Sequence, residues 1–216
     1  MSKQKPVEQN LPWNPKQNEV IWVVGTMVVI ILALVLIPMF MRMFATFDYQ
    51  GLTFTREKFG EIPVYHYSYY FIDDMGQQYQ YNLYLRNDPR TNVIPINSNI
   101  KFKKDRKVYV ILNSTALAQC PTGLRDIASI ARFLSDNLIS VQAGNIDGEI
   151  AAQNNLTYAT CENRPDDVVI SIVPGNETKI TQMDECHTIS YATCEEVLPA
   201  LEKFMVKSIL DAKQGN

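Results

Sequence analysis

The chain of 216 residues sets 20 Lys and Arg against 23 Asp and Glu, a formal net charge of -3 at pH 7, and 46% of it is hydrophobic. Proteins that hold nucleic acid by its phosphates carry a clear basic excess, so this balance excludes nucleic acid as the expected partner. The 4 cysteines are an even number and suit two disulfides in an oxidising compartment.

Residues 1–14 are polar and carry Pro6 and Pro12, which reads as a disordered tail. Asn14-Pro15-Lys16-Gln17 then has the form of a helix start: Asn14 caps, Pro15 suits the first helical position and Gln17 can bond back to the cap. From Val20 to Phe40 there is no charge. At about 1.5 Å of rise per residue, such a run covers the roughly 30 Å of a bilayer's hydrocarbon core, and a lone apolar run satisfies its backbone in lipid only as a helix. Membrane lipid is thus the expected partner of Val20–Phe40. Trp13 and Trp22 fall where interfacial indoles anchor, and Pro38 is a tolerated membrane proline near the other end.

Lysines 3, 5 and 16 before the span are matched by Arg42, Arg56 and Lys58 after it, so charge does not orient it. All the cysteines, Cys120, Cys161, Cys186 and Cys194, follow the span, as do three N-x-[ST] sequons that make Asn113, Asn155 and Asn176 candidate glycosylation sites. Together they place the N-terminus in the cytoplasm and the C-terminal domain outside the cell membrane.

Past the span, residues 51–55 read as a short strand and Arg56-Glu57-Lys58 as a charged turn. Residues 64–72 and 78–85 alternate with period two, with Tyr65, Tyr67, Tyr69 and Phe71 on one face of the first and Tyr79, Tyr81, Leu83 and Leu85 on one face of the second. Asp73-Asp74-Met75-Gly76 supplies the turn of a hairpin whose aromatic stripe is expected to face a core. Asn87-Asp88-Pro89-Arg90 makes the next turn, and residues 101–107 form the one basic cluster, read as a solvated edge or a contact for acidic headgroups or a surface polymer.

From Val108 the pattern becomes α/β. Residues 108–112 are a buried strand, and Leu124, Ile127, Ala128, Ala131, Leu134 and Leu138 at helical spacing predict a helix over 122–137. Residues 139–143 are the return strand of a βαβ unit. A short helix over 147–154 follows, then a hairpin of 168–173 and 178–182 around Pro174-Gly175-Asn176, and a strand over 187–191. Thr193-Cys194-Glu195-Glu196 fits a capping box for a last helix, in which Pro199 would sit uncomfortably unless the helix begins near Leu198. Cys120 and Cys194 both follow a strand at a helix start and so share one sheet edge, while Cys161 and Cys186 meet at the other. The expected pairs are Cys120–Cys194 and Cys161–Cys186.

The fold class is thus an α/β (α+β) extracytoplasmic domain with an N-terminal β-hairpin, anchored by one N-terminal transmembrane helix. Its divisions are tail 1–14, transmembrane helix 15–46 and domain 47–216, the last comprising a hairpin region 47–100 and a βαβ-containing region 101–216.

The single N-terminal span, Leu85-Arg86-Asn87-Asp88-Pro89-Arg90, the strand at 107–112, and the segment 169–180 leading to Cys186 and Cys194 together resemble uncharacterised single-span membrane proteins of small-genome archaea. The resemblance implies a surface-facing archaeal membrane protein and nothing catalytic.

No G-x-S-x-G, H-E-x-x-H, P-loop or dinucleotide fingerprint occurs, so no cofactor is expected. No metal is expected either, because His66 and His187 are the only histidines and no carboxylate cluster accompanies either at metal spacing. Cys120 stands where a thioredoxin-like nucleophile would, but Gln119-Cys120-Pro121-Thr122-Gly123 contains no C-x-x-C. The expected function is a membrane-anchored binding or assembly module of the cell envelope, with other envelope proteins or a surface polymer as partners. The alternative is a thiol oxidoreductase using Cys120.

Overall fold

A computed structural model describes residues 15–73, 75–102 and 106–215. Asn14 and Trp13 lie outside them. The chain divides into two compact units, 1–46 and 47–216.

The first unit holds helix α1, Pro15–Ala45, which contains Pro38. Its Val20–Phe40 stretch has a mean hydropathy of 3.1 and none of it is buried within the chain. One N-terminal helix is therefore long and apolar enough to span a membrane. Inside the apolar run Thr26 returns its hydroxyl to the Trp22 carbonyl at 2.7 Å, so the run's one hydroxyl is satisfied within the helix.

The second unit opens with an antiparallel sheet of four strands in chain order: β1 (Thr46–Tyr49), β2 (Leu52–Phe59), β3 (Ile62–Ile72) and β4 (Gln78–Leu85). Gln50 and Gly51, with φ of 52° and 82°, form the two-residue turn from β1 to β2. β2 is longer than the sequence suggests. Arg56, Glu57 and Lys58 are strand residues paired with Tyr65, Val64 and Pro63, and the turn lies beyond them, at Gly60 with φ of 65°. A charged run on a strand's solvated side looks like a turn in sequence, but only the glycine supplies the positive φ. The expected β3–β4 hairpin forms, its register running from Tyr65↔Leu85 to Ile72↔Gln78, and Tyr65, Tyr67, Leu83 and Leu85 are buried.

The second sheet has seven strands in the order β5-β10-β11-β9-β6-β7-β8. Within it β6 (Val108–Leu112) is parallel to β7 (Val141–Asn145) on one side and to β9 (Val168–Pro174), the central strand, on the other. Edge strand β8 (Thr157–Tyr158) runs parallel to β7, and β11 (Cys186–Tyr191) parallel to β9. Buried on both faces, β6 and β9 read as continuous apolar runs. Gly144 of β7 admits β8 closely: a Cβ there would lie 2.8 Å from both the Ile111 Cγ2 and the Thr157 carbonyl oxygen.

The expected hairpin of 168–173 with 178–182 is not formed. β10 (Lys179–Met183) pairs antiparallel with β11, and β11 separates it from β9. Asp184, with φ of 54°, makes the two-residue turn from β10 to β11, while Pro174-Gly175-Asn176 carries the chain past β11. The two-residue strand β5 (Ile96–Asn97) closes the far edge.

A layer of helices lies between the sheets. After the short α2 (Ser114–Leu117), α3 (Gly123–Asp136) buries Gly123, Asp126, Ile127, Ile130, Phe133 and Leu134. Leu124 is 64% exposed and Ala128 is also exposed, so the buried stripe is turned by about one position from the expected one, drawn by Phe133 packing edge-on against Tyr81 of β4. α4 (Gly148–Gln153) is capped by Asp147. The last helix begins as a 3₁₀ turn over Cys194–Glu196 with the expected capping box and becomes α5 (Val197–Gln214), which places Pro199 in its first turn. α5 is buried on almost every side because both sheets claim it. Phe204 meets His187 of β11 edge-on, while Glu202 accepts hydrogen bonds from the chain leaving β4. One core accordingly runs through both sheets and both long helices, with Phe54, Leu85, Val110, Ile130, Ile170 and Phe204 among its members.

Candidate functional site

At the amino ends of β6 and β7, a cleft of about 670 Å³ opens between residues 69–73 at the end of β3 and the start of its turn, residues 100–102 and Arg106 before β6, the end of α3 with residues 137–140, and the end of α5. Its volume is that of a small-ligand pocket. Phe133, Phe102, Ile139 and Ile209 are among its apolar lining residues. Tyr69 donates its hydroxyl to Asn137 Oδ1, and burial pushes its pKa well above the usual phenol range.

Five charged side chains line the cleft: Asp73, Lys101, Arg106, Asp211 and Lys213. Asp73 is spent on its own turn, accepting the Met75 and Gln77 amides at 2.9 and 2.8 Å. Asp211 takes the Ile100 amide at 2.8 Å and pairs with Lys207. Lys213 lies 5.4 Å from the centre of the Tyr67 ring, Arg106 donates to the Asp166 carbonyl, and neither they nor Lys101 has a carboxylate partner among the described residues. The uncommitted charge is positive. Of the basic cluster, Lys101, Phe102 and Arg106 are cleft residues, and 103–105 lie outside the described residues.

The opposite end of the parallel sheet is where such sheets usually bind ligands, at the reversal of strand order between β6 and β9. Here its polar groups serve one another. Asn113 caps α2 through the Ala116 amide at 3.0 Å, and fully buried Asn145 donates to Ser114 Oγ at 2.6 Å and accepts the Asp147 amide at 2.9 Å. Cys120 and Cys194 lie at the same end with Cα atoms 5.2 Å apart and sulfurs at disulfide distance. They join the chain leaving β6 to the chain leaving β11, the two strands that flank β9. Cys161 and Cys186 form the second such pair, Cα atoms 5.7 Å apart, on the sheet face away from the helices, beside Tyr109, Ile111 and Val169. Cys120 precedes the α3 cap, Thr122, by two residues, and its sulfur is engaged in the pair a redox nucleophile would have to leave.

The sequons differ in setting. Asn155 and Asn176 are exposed, whereas Asn113 is half-buried and committed to its cap. His66 contacts Glu57 and Asn82, each at 3.0 Å. His187, which sequence reasoning left unassigned, is 1% exposed and meets Ser98 Oγ at 2.8 Å. Burial drives the His187 pKa down to about 4, so the ring that meets Ser98 is neutral at pH 7. Among the described residues no group of three or more His, Cys, Asp or Glu could hold a metal ion. No protein-family model matches the chain, and no curated protein or solved structure matches it. The likeness to single-span archaeal proteins therefore rests on its short motifs alone.

Proposed function

We propose that the chain is a membrane-anchored binding or assembly module of the cell envelope, with its N-terminus in the cytoplasm and its disulfide-braced α/β domain outside. The observation that carries this reading is the pairing of all four cysteines at disulfide distance in the domain that directly follows the apolar helix. Such bonds persist in oxidising compartments and are rare where thiols are kept reduced. Exposed Asn155 and Asn176 agree with it, as acceptors on an outward-facing surface. The cleft at residues 69–73 is the ligand seat, with Lys101, Arg106 and Lys213 offered to acidic groups of a surface polymer or of a partner envelope protein.

Protease added to intact cells tests the placement. The domain after about Arg42 is then digested while the N-terminal tail survives. A protected domain with a digested tail would reverse the orientation and remove the compartment argument with it.

A further inference from the structure

We propose that β4 is a pairing edge through which two copies of this chain join antiparallel, with the twofold axis at Tyr81. β4 ends the four-stranded sheet, and among the described residues no strand pairs with its outer side. The other sheet edges are short: β1 has 4 residues, β5 has 2 and β8 has 2. β4 has 8, and Gln-Tyr-Gln-Tyr-Asn-Leu-Tyr-Leu contains no charge and no proline. Its register with β3 runs unbroken, so it has no bulge. Natural edges are blunted by charges, proline or bulges, and an edge lacking all three is a template for another strand.

The amides on its solvated face say which strand. Asn82 Oδ1 faces His66 Nε2 at 3.0 Å and accepts from Gln80 Nε2 at 3.5 Å, and Gln80 Nε2 also donates to Ser68 Oγ at 2.8 Å. Among the described residues this leaves Asn82 Nδ2 and Gln80 Oε1 without a hydrogen bond, and likewise the whole amide of Gln78 at the start of the strand. In an antiparallel pair centred on Tyr81, Gln80 of each copy stands opposite Asn82 of the other on the same face, so the unused donor meets the unused acceptor twice. A strand carrying a complementary donor and acceptor on either side of its midpoint, and no charge to repel its own image, is built for its own copy. An eight-residue edge is small for a stable interface in solution. Copies confined by their spans to one bilayer, however, meet at a raised effective concentration.

The test is disulfide cross-linking of the full-length protein in its membrane. Gln80→Cys and Asn82→Cys are expressed together and apart, with Gln78→Cys as a further control. Opposed residues in an antiparallel pair lie about 5 Å apart and diagonal ones about 7–8 Å. The mixed 80 and 82 variants should thus give several times more cross-linked dimer than either alone, and Gln78→Cys none. Adding Tyr84→Lys, which leaves the core face untouched and sets a charge on the edge, should lower the dimer yield. Equal yields from all variants, cross-linking through Gln78→Cys, no dimer at all, or cross-links only to a different protein would each overturn the proposal. Cooperative thermal unfolding of each variant, matching the parent, verifies that a lost cross-link is not a lost fold.

Discussion

His187 and Glu202 are both closed off from water, and burial moves their proton affinities in ways that oppose each other on acidification. Burial lowers His187 from 6.5 to about 4, so the unfolded chain binds its proton first. That residue's contribution is fully present above pH 6.5 and is lost between there and about pH 4, roughly 3 kcal/mol in all. Burial raises Glu202 from 4.5 to about 6, against the lowering effect of the Arg86 and Asn87 hydrogen bonds. The folded state then takes this proton first, so stability rises by about 2 kcal/mol as pH falls from 6 to 4.5. The two partly cancel in the native chain. Glu202→Gln removes the gain, so its stability should fall more steeply between pH 6.5 and 4.5 than that of the parent in urea titrations. It should also cost about 1–3 kcal/mol at pH 7, because one amide nitrogen would face the donors that Glu202 now accepts. Parallel pH dependences would show that Glu202 does not titrate in this range.

At the scale of elements, what could be read from the sequence was whatever its neighbours in sequence decide. The period-two alternation of β3 and β4, the apolar run of β6, the helical spacing within α3 and the capping box of α5 are local signals, and each produced its element. Two kinds of feature were not local. β9 and β10 look like a hairpin because a Pro-Gly-Asn turn separates them, yet β11, later in the chain, supplies a partner to both. The Ser98–His187 and Glu202–Asn87 contacts join residues 89 and 115 positions apart, and no spacing rule reaches that far. The cleft is half-legible: Lys101 and Arg106 belong to the basic cluster visible in the sequence, but Lys213 and the aromatic wall from β3 and α3 reach it only through folding. The apolar helix is the most local element of all, and its test is correspondingly direct. Ile31→Arg, at mid-span, should cost about 2.5–3.5 kcal/mol on insertion scales and lower the membrane-integrated fraction in an alkaline extraction assay. Unchanged integration would mean that a neighbouring helix shelters the charge.

For the whole molecule, the two cysteine pairs brace the second unit at separate places. Cys120–Cys194 ties positions 74 residues apart across the carboxyl ends of the parallel strands, and Cys161–Cys186 ties positions 25 apart on the outer sheet face. Cross-links of these spans stabilise small domains by roughly 3–5 kcal/mol, chiefly by restricting the unfolded chain in the loop-entropy account. They are also what gives the envelope reading its compartment, so their presence in the native protein is the most direct measurement to make. Membranes are alkylated before any reduction, and the purified protein is digested without reductant and examined by mass spectrometry. The account predicts one peptide pair linking Cys120 to Cys194, a second linking Cys161 to Cys186, and no alkylated cysteine; four alkylated cysteines, or a peptide linking Cys186 to Cys194, would contradict it.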